Sequence, residues 1–319
     1  DHREGQRPVS QNLPALLVVI PMLLAPVAAL VGKVRGAPWA VAAAACWWAL
    51  FASYSMLLRV WDEGVVRYAL GGWPAPYGIE YYIDLASAFV AFIVAFIGAV
   101  AIVYARESIA QEVAEDRHPL FYAAFILSLT GLLGISITGD VFNVFVFLEI
   151  SSLSAYSMIA LGHDRRALTA AYQYLIMGAT GATFIVIGIG LLYEMTGTLN
   201  MVDLAGRIPA VSENRTVPVA FTFLTVGITL KLALFPLHLW LPNAYTFAPS
   251  AVTSFMASTS TKVSVYLLLR FFFTIFGFDF SFERMQLDMV LLPLSLVAIL
   301  GMSLVAIYQS NVKRLLAFS

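Results

Sequence analysis

Uninterrupted apolar runs of about twenty residues recur along this chain, and they leave few folds open. Nine can be marked off, at 12–31, 38–60, 84–105, 119–138, 141–161, 168–194, 217–237, 250–275 and 289–309. A helix needs about 20 mostly apolar residues to cross the hydrocarbon core of a bilayer. Lipid offers the backbone no hydrogen-bond partners, so spanning segments are helices or closed barrels. Runs this long do not resemble the alternating ~10-residue strands of a barrel. The chain is 61% hydrophobic and 12% charged, with a mean hydropathy of +0.85; soluble domains carry about 25% charged residues. The fold class expected is an all-α membrane protein, a polytopic helical bundle of about nine transmembrane helices.

A net charge of −1 gives no reason to expect a nucleic-acid partner. The single cysteine, Cys46, lies beside Trp47 and Trp48 in an apolar run and reads as a small buried hydrophobe. One cysteine makes no internal disulfide, and no metal-ligand spacing occurs. The segment ALGGWPAPYGIE is a turn-rich cap without a phosphate-binding fingerprint. Nucleophile elbow, P-loop and haem or iron–sulfur ligand sets are absent from the sequence, so no cofactor or metal is expected. The first apolar run lacks the basic flank and cleavage site of a signal peptide. The chain starts at Asp1 and stops at NVKRLLAFS after a helical pattern, so truncation at both ends is expected.

Orientation is read from Lys and Arg in the short connections. With the amino terminus outside, inner loops hold Lys33, Arg35, Arg106, Arg117, Arg165, Arg166, Lys313 and Arg314; outer segments hold as many, Arg3 and Arg7 among them. The inner set is clustered tightly beside helix ends, which favours an amino terminus outside. The setting expected is the cell inner (plasma) membrane.

Three ionisable residues stand inside apolar segments. Glu149 lies in VFNVFVFLEISSLSAYSMIAL, Lys231 in FTFLTVGITLKLALFP and Lys262 in SAVTSFMASTSTKVSVYLLL. A charge at the bilayer centre costs about 2.5 to 17 kcal/mol, and such residues are paired or hydrated and mark ion or proton paths. Two bases and one acid suggest a proton relay. Burial lowers a lysine's proton affinity and a nearby carboxylate raises it, so Glu149 and Lys231 are expected to approach directly or through one water. The bland alternatives are a structural ion pair for Glu149 and a snorkelling stem for Lys231. The hydroxyl run Ser258–Thr261 before Lys262 can hold water or pack helices. Asp140 reads as a helix N-cap, about 13 Å along the helix from Glu149. His238, seven residues after Lys231, could pass a proton on or be bonded at a helix break.

Pro14, Pro21 and Pro26 favour kinks in the first helix. In KLALFPLHLWLPNAYTFAPS, Pro236 and Pro242 follow Lys231, and each removes an N–H and clashes with the carbonyl four residues back. The seventh helix is therefore expected to break near Pro236 and resume as a short piece around 237–246. Broken helices are tolerated at membrane depth where they line a watery cavity. Gly178, Gly181, Gly188 and Gly190 stripe the sixth helix and read as a close-packing face.

The runs GDVFNVFVFLEISSLSAYSMIAL, LKLALFPLHLWLPNAYTFAPS, TKVSVYLLLR and NVKRLLAFS resemble the antiporter-like, proton-translocating subunits shared by Mrp cation/proton antiporters, complex I and membrane-bound hydrogenases. GGWPAPYGIEYYIDLASA and AYQYLIMGATGATFIVIGIGLLYEMTGTLNM look most like the D-type subunits of Mrp antiporters. The resemblance covers roughly residues 80–319. It implies a fourteen-helix fold with inverted five-helix repeats, of which this chain holds part: helices one to three in 1–105, a first ion-translocating repeat in 119–276, and the start of a second in 277–319. It also implies roles. Glu149 matches the acidic partner, Lys231 the broken-helix lysine, Lys262 the relay lysine and His238 the histidine of FPLH. Asn243 and Ser264 depart from the residues, Asp and Gly, common at those positions.

The function expected is the proton-conducting subunit of a multi-subunit monovalent cation (Na⁺)/H⁺ antiporter, a secondary transporter rather than a redox enzyme. Its partners would be other membrane subunits, the bilayer, protons and Na⁺. The alternatives are a proton-pumping subunit of complex I or a membrane-bound hydrogenase, a quinone-binding redox subunit, and a scaffold that transports nothing.

Overall fold

A computed structural model describes residues 11–319; Arg3 and Arg7 of the orientation tally lie outside them. The chain separates into two compact units, 1–154 and 155–319. Among the described residues seven helices are long and apolar enough to cross a membrane. The seventh expected span is a helix of only 17 residues, Thr216–Leu232. The eighth, Ser250–Leu269, falls short in hydropathy because its hydroxyl run and Lys262 dilute the apolar residues.

The first unit gathers α1 (Leu13–Leu30), α2 (Ala37–Glu63), α3 (Leu85–Glu112) and α4 (His118–Ile137). Pro21 and Pro26 lie inside α1, and Pro14 stands in its first turn. α4 is buried along nearly its whole length among the other three. The start of α5 (Val141–Ala160) packs on it where glycines let backbones meet. A Cβ on Gly131 would stand 2.7 Å from the Phe147 carbonyl oxygen and the Ser151 nitrogen.

The connection 61–83, expected to be a loop, contains a hairpin. β1 (Val66–Ala69) pairs antiparallel with β2 (Glu80–Ile83), Val66 opposite Ile83. Four-residue strands around GWPAPYG are too short to show a period in the sequence. The hairpin braces the turn that launches α5. The Glu80 carbonyl accepts from Gly139 N at 2.8 Å, and Tyr81 bridges Thr138. Asp140 then caps α5 as expected, its Oδ1 accepting from Asn143 N at 2.7 Å. Asn143 donates in turn to Thr138 Oγ1 at 3.1 Å.

The second unit is organised on α6 (Arg165–Thr196) and α8 (Thr216–Leu232), its most extensive helix pair. Asp164 caps α6 through Arg166 N, and the Arg166 guanidinium beside it holds its carboxyl below the usual range. The connection 195–216 folds into a short helix, α7 (Met201–Val211), capped by Asn200. Then come α9 (Trp240–Phe247), α10 (Ser250–Leu269), two π-helical turns at 270–275 and 279–284, α11 (Leu287–Ile307) and α12 (Val312–Phe318). α10 packs on α8, and α12 on α9.

Gly178, Gly181 and Gly188 form the close-packing face that the stripe implied, and Gly190 does not belong to it. A Cβ on Gly227 of α8 would lie 2.7 Å from the Gly181 carbonyl oxygen of α6, and one on Gly188 would lie 2.6 Å from Leu224 Cγ. Gly190 has nothing within 4 Å of such a position. Gly227→Leu is expected to lower the thermal stability of the purified protein by about 1–3 kcal/mol or prevent its accumulation, since overpacking against backbone has no flexible neighbour to absorb it. Gly190→Leu is expected to leave the melting temperature within a degree or two. Fluorescence-detected chromatography after heating measures both, and equal melting of Gly227→Leu and the parent would contradict the close crossing.

Candidate ion-translocation site

The site begins at the end of α8. Lys231 sits in the last turn and is only 7% exposed. The next residue but one, Ala233, adopts the left-handed conformation at φ 59. Its N–H donates to the Leu230 carbonyl at 3.2 Å, and Leu234 N to the Thr229 carbonyl at 3.0 Å. That pair of bonds is the Schellman arrangement, which satisfies carbonyls a helix end would leave bare. Alanine in place of the usual glycine makes the cap costlier, because Cβ meets the following carbonyl.

The break therefore opens at Ala233, three residues before Pro236. Residues 233–239 form linked turns, and the helix resumes at Trp240. Pro236 lies inside the turns, whereas Pro242 lies in the first turn of α9 and breaks nothing, its N–H being one the helix would not use. The short second piece is as expected; its start is moved by the cap, a feature set by backbone conformation rather than by proline.

Trp240 ties the two pieces together. Its indole N–H donates to the Leu230 carbonyl at 3.2 Å. Its ring stacks on Tyr174 of α6, centroids 4.1 Å apart and planes parallel within 1°, and Tyr174 meets Tyr156 edge-on at 4.5 Å. The Tyr156 hydroxyl lies against Gly178, where a Cβ would stand 1.8 Å from it. Asn243 donates to Gln173 Oε1 of α6 at 3.0 Å, so the residue flagged as a departure holds α9 to α6.

Lys231 is placed by the same crossing. Its Cγ would lie 3.7 Å from a Cβ on Gly181, so the stem runs beside that glycine. An ammonium in the last turn also faces the negative end of the helix dipole, worth about 0.3–1 kcal/mol at exposed sites and more when partly buried.

His238 lies in the break and is buried, 9% exposed. Phe235 and Phe318 flank it, ring centroids 5.5 and 6.3 Å away. Neither imidazole nitrogen finds a hydrogen bond of good geometry among the described residues. Such a group calls for a water, an ion or a proton-transfer role. Phe318 arrives on α12, whose Lys313 donates to the Ala248 carbonyl at the end of α9 at 3.1 Å. Lys313, counted above as a loop charge, thus caps a helix of the break.

Lys262 differs. It is exposed on α10, and its Nζ donates to the Ala257 carbonyl at 2.5 Å, while Thr259, Val263 and Ser264 are buried. The hydroxyls before it are engaged by their own helix: Ser258 donates to the Ser254 carbonyl at 2.8 Å and Thr259 to that of Phe255 at 2.7 Å. These two hydroxyls are thus bonded within α10. Glu149 belongs to the first unit, half-buried on α5 beyond the Asp140 cap. The second unit thus gathers Lys231 and His238 around one helix break; Lys262 stands on the neighbouring helix with its head on that helix's own carbonyl. Among the described residues no three His, Cys, Asp or Glu side chains gather as metal ligands.

Sequence reasoning missed Trp240, Tyr174 and Tyr156 as a group. Each lay in a quoted motif, but an aromatic stack across helices leaves no periodic signal.

Known proteins are similar to this chain in sequence and in fold. The chain is 41% identical over 318 residues to the N subunit of the NADH-quinone oxidoreductase of Desulforudis audaxviator, covering 98% of this chain and 62% of that protein. It is 29% identical over 307 residues to the D-type subunit of the Na(+)/H(+) antiporter of Alkalihalophilus pseudofirmus, covering 96% and 61%. The chain thus spans about three fifths of the length of these relatives. Among solved structures it superposes on a chain of the membrane-bound sulfane sulfur reductase, an archaeal respiratory membrane complex, with TM-score 0.86, 27% identity and 96% and 62% coverage. It superposes on a chain of the Mrp complex from Dietzia sp. DQ12-45-1b with TM-score 0.85, 26% identity and 98% and 56% coverage. Residues 138–319, more than half of the chain, match the family described as NADH:quinone oxidoreductase/Mrp antiporter, TM, and this multi-pass membrane chain belongs to that family.

Proposed function

We propose that this chain is the proton-conducting subunit of a multi-subunit membrane complex, with Lys231 as the group that takes up and releases the proton. One observation carries the reading: a lysine buried in an apolar bundle at a helix break, with a buried histidine of unsatisfied nitrogens in the same break. A scaffold has no use for either, because apolar residues of similar volume pack as well or better than a buried charge. His238 would exchange protons with Lys231 through water. Glu149 would be the acidic partner that tunes the lysine, and Lys262 the next carrier, within the repeat 119–276. The setting is the plasma membrane with the amino terminus outside, and the neighbours are other membrane subunits. The coupled ion proposed is Na⁺, as for the antiporter relatives. A second reading, a proton-pumping subunit of an NADH-quinone oxidoreductase, is favoured by the higher identity to the N subunit. Proton movement driven by a Na⁺ gradient in vesicles supports the first; movement that requires quinone reduction supports the second.

Lys231→Ala is expected to abolish exchange in vesicles, read with a pH-sensitive dye, while the complex stays assembled on a native gel. A structural lysine would instead leave a stranded buried charge and lost assembly. Glu149→Gln is expected to slow exchange less, since it alters the lysine's proton affinity without removing it. Lys262→Ala is expected to resemble Lys231→Ala. Full transport with Lys231→Ala would refute the relay.

His238→Phe keeps a ring between Phe235 and Phe318 and removes both nitrogens. Its melting temperature is expected to stay close to the parent's, while exchange falls by about 10²-fold, the low end for a lost proton-transfer group. Unchanged exchange would make the histidine a packing residue.

A further inference from the structure

The first unit carries a charged cavity that the proposed proton path does not use. It encloses about 520 Å³ where the turn 31–36 after α1, the end of α3 and the start of α4 come together. All three are helix ends, so the cavity lies where the spanning segments meet the membrane–water boundary. Lys33, Arg35 and Arg106 line it, with Glu107 and Glu115 as the opposing charges and the His118 ring on its wall. Among the described residues none of the three cations is in an ion pair. Glu107 instead accepts from Gln111 at 3.2 Å, and His118 Nε2 faces the Val113 carbonyl at 3.0 Å.

The cavity is held in shape. Trp39 donates its indole N–H to the Ile102 carbonyl at 2.9 Å, and the Arg106 guanidinium lies over that ring, 4.6 Å from a ring centroid. Stacking uses the guanidinium face and leaves its N–H edge for an acceptor. Gly32 meets Pro119 so closely that a Cβ would stand 2.6 Å from the proline Cγ, and Gly36, at φ 80, turns the chain into α2. Apolar surface continues from the cavity along the helices. Leu30, Val103 and Leu120 are exposed within about a turn of its lining residues.

Basic cavities between helix ends at the boundary suit lipid head groups. We propose that this cavity binds the phosphodiester head group of an anionic phospholipid, with Arg106 and the Lys33–Arg35 turn on the phosphate oxygens and the acyl chains along the exposed leucine and valine surface. That apolar continuation selects a lipid over a free anion.

The test uses the purified, delipidated complex, titrated with phosphatidylglycerol and, in parallel, phosphatidylcholine, with bound lipid counted by native mass spectrometry. Each cation contributes roughly fivefold in affinity near a charged surface. Arg106→Gln is expected to weaken phosphatidylglycerol binding at one site about fivefold, and Lys33→Gln with Arg35→Gln about 25-fold, with phosphatidylcholine unaffected. Arg106→Lys, which keeps the charge, is expected to retain most of the binding and guards against a folding effect. Arg166→Gln, an exposed arginine outside the cavity, is expected to change nothing. Equal phosphatidylglycerol binding by the Gln variants and the parent overturns the proposal. So does displacement of the lipid by inorganic phosphate at equal concentration, which makes this a free-anion site. Loss of a neighbouring subunit from the Gln variants without lipid loss also overturns it, because a protein then covers the cavity.

Discussion

In hydrocarbon a helix cannot stop without accounting for its carbonyls, and the second unit is arranged around one place where a helix does stop. α8 ends at Leu232 with Lys231 in its last turn, and three donors meet the carbonyls there: Ala233 N, Leu234 N and the Trp240 indole. An unmet backbone group in lipid costs several kcal/mol, so these bonds decide whether the break can exist. The indole that reaches the Leu230 carbonyl lies flat on Tyr174, and Tyr174 is on α6. The α6–α8 crossing must then be close, which Gly181 and Gly227 permit and larger residues would prevent. One backbone requirement thus links an aromatic stack, a glycine pair and the position of a lysine.

The same requirement explains why a charge is tolerated there. A continuous helix buries all its polar groups in itself and offers an ammonium nothing. A broken one concentrates partial negative charge at the end of its first piece. It also opens turns at 233–239, where His238 is buried and neither nitrogen makes a hydrogen bond of good geometry among the described residues. The strain of a left-handed alanine is small beside the cost of a lysine in unbroken hydrocarbon.

Much of this was legible in the chain. Apolar runs marked nearly all the long helices, because length and composition suffice when the solvent is lipid. Lys231 and the existence of the break were legible too, since a proline and a charge in an apolar run are local violations. Less legible was the point of the break, fixed at Ala233 by a backbone conformation that alanine rarely adopts. The hairpin 66–83 and α7 hid in connections, being too short to outweigh their turn residues. The hydroxyl run before Lys262 was legible only as water-holding or packing, and Ser258 and Thr259 are bonded to their own helix. Hydroxyl counts alone do not separate the two cases, because a serine in a helix can always turn to the carbonyl four residues back.

Lys231 and Lys262 are therefore held in different ways. The Ala257 carbonyl accepts from the Lys262 ammonium and holds its head on its own helix. To receive a proton, that amine must first be neutral and must turn its lone pair toward a donor. Both changes require it to leave the carbonyl. A side-chain rotation of this kind takes picoseconds to nanoseconds at exposed positions, far faster than any turnover, so it gates the order of events without limiting their rate. Lys231 is confined instead by a stem packed beside Gly181 and by the turns of the break. In the proposed relay Lys231 would exchange with what enters the break, and Lys262 only once its head has left α10. In the proposed relay two lysines held so differently would carry the proton at different moments, and that difference would give its movement a direction.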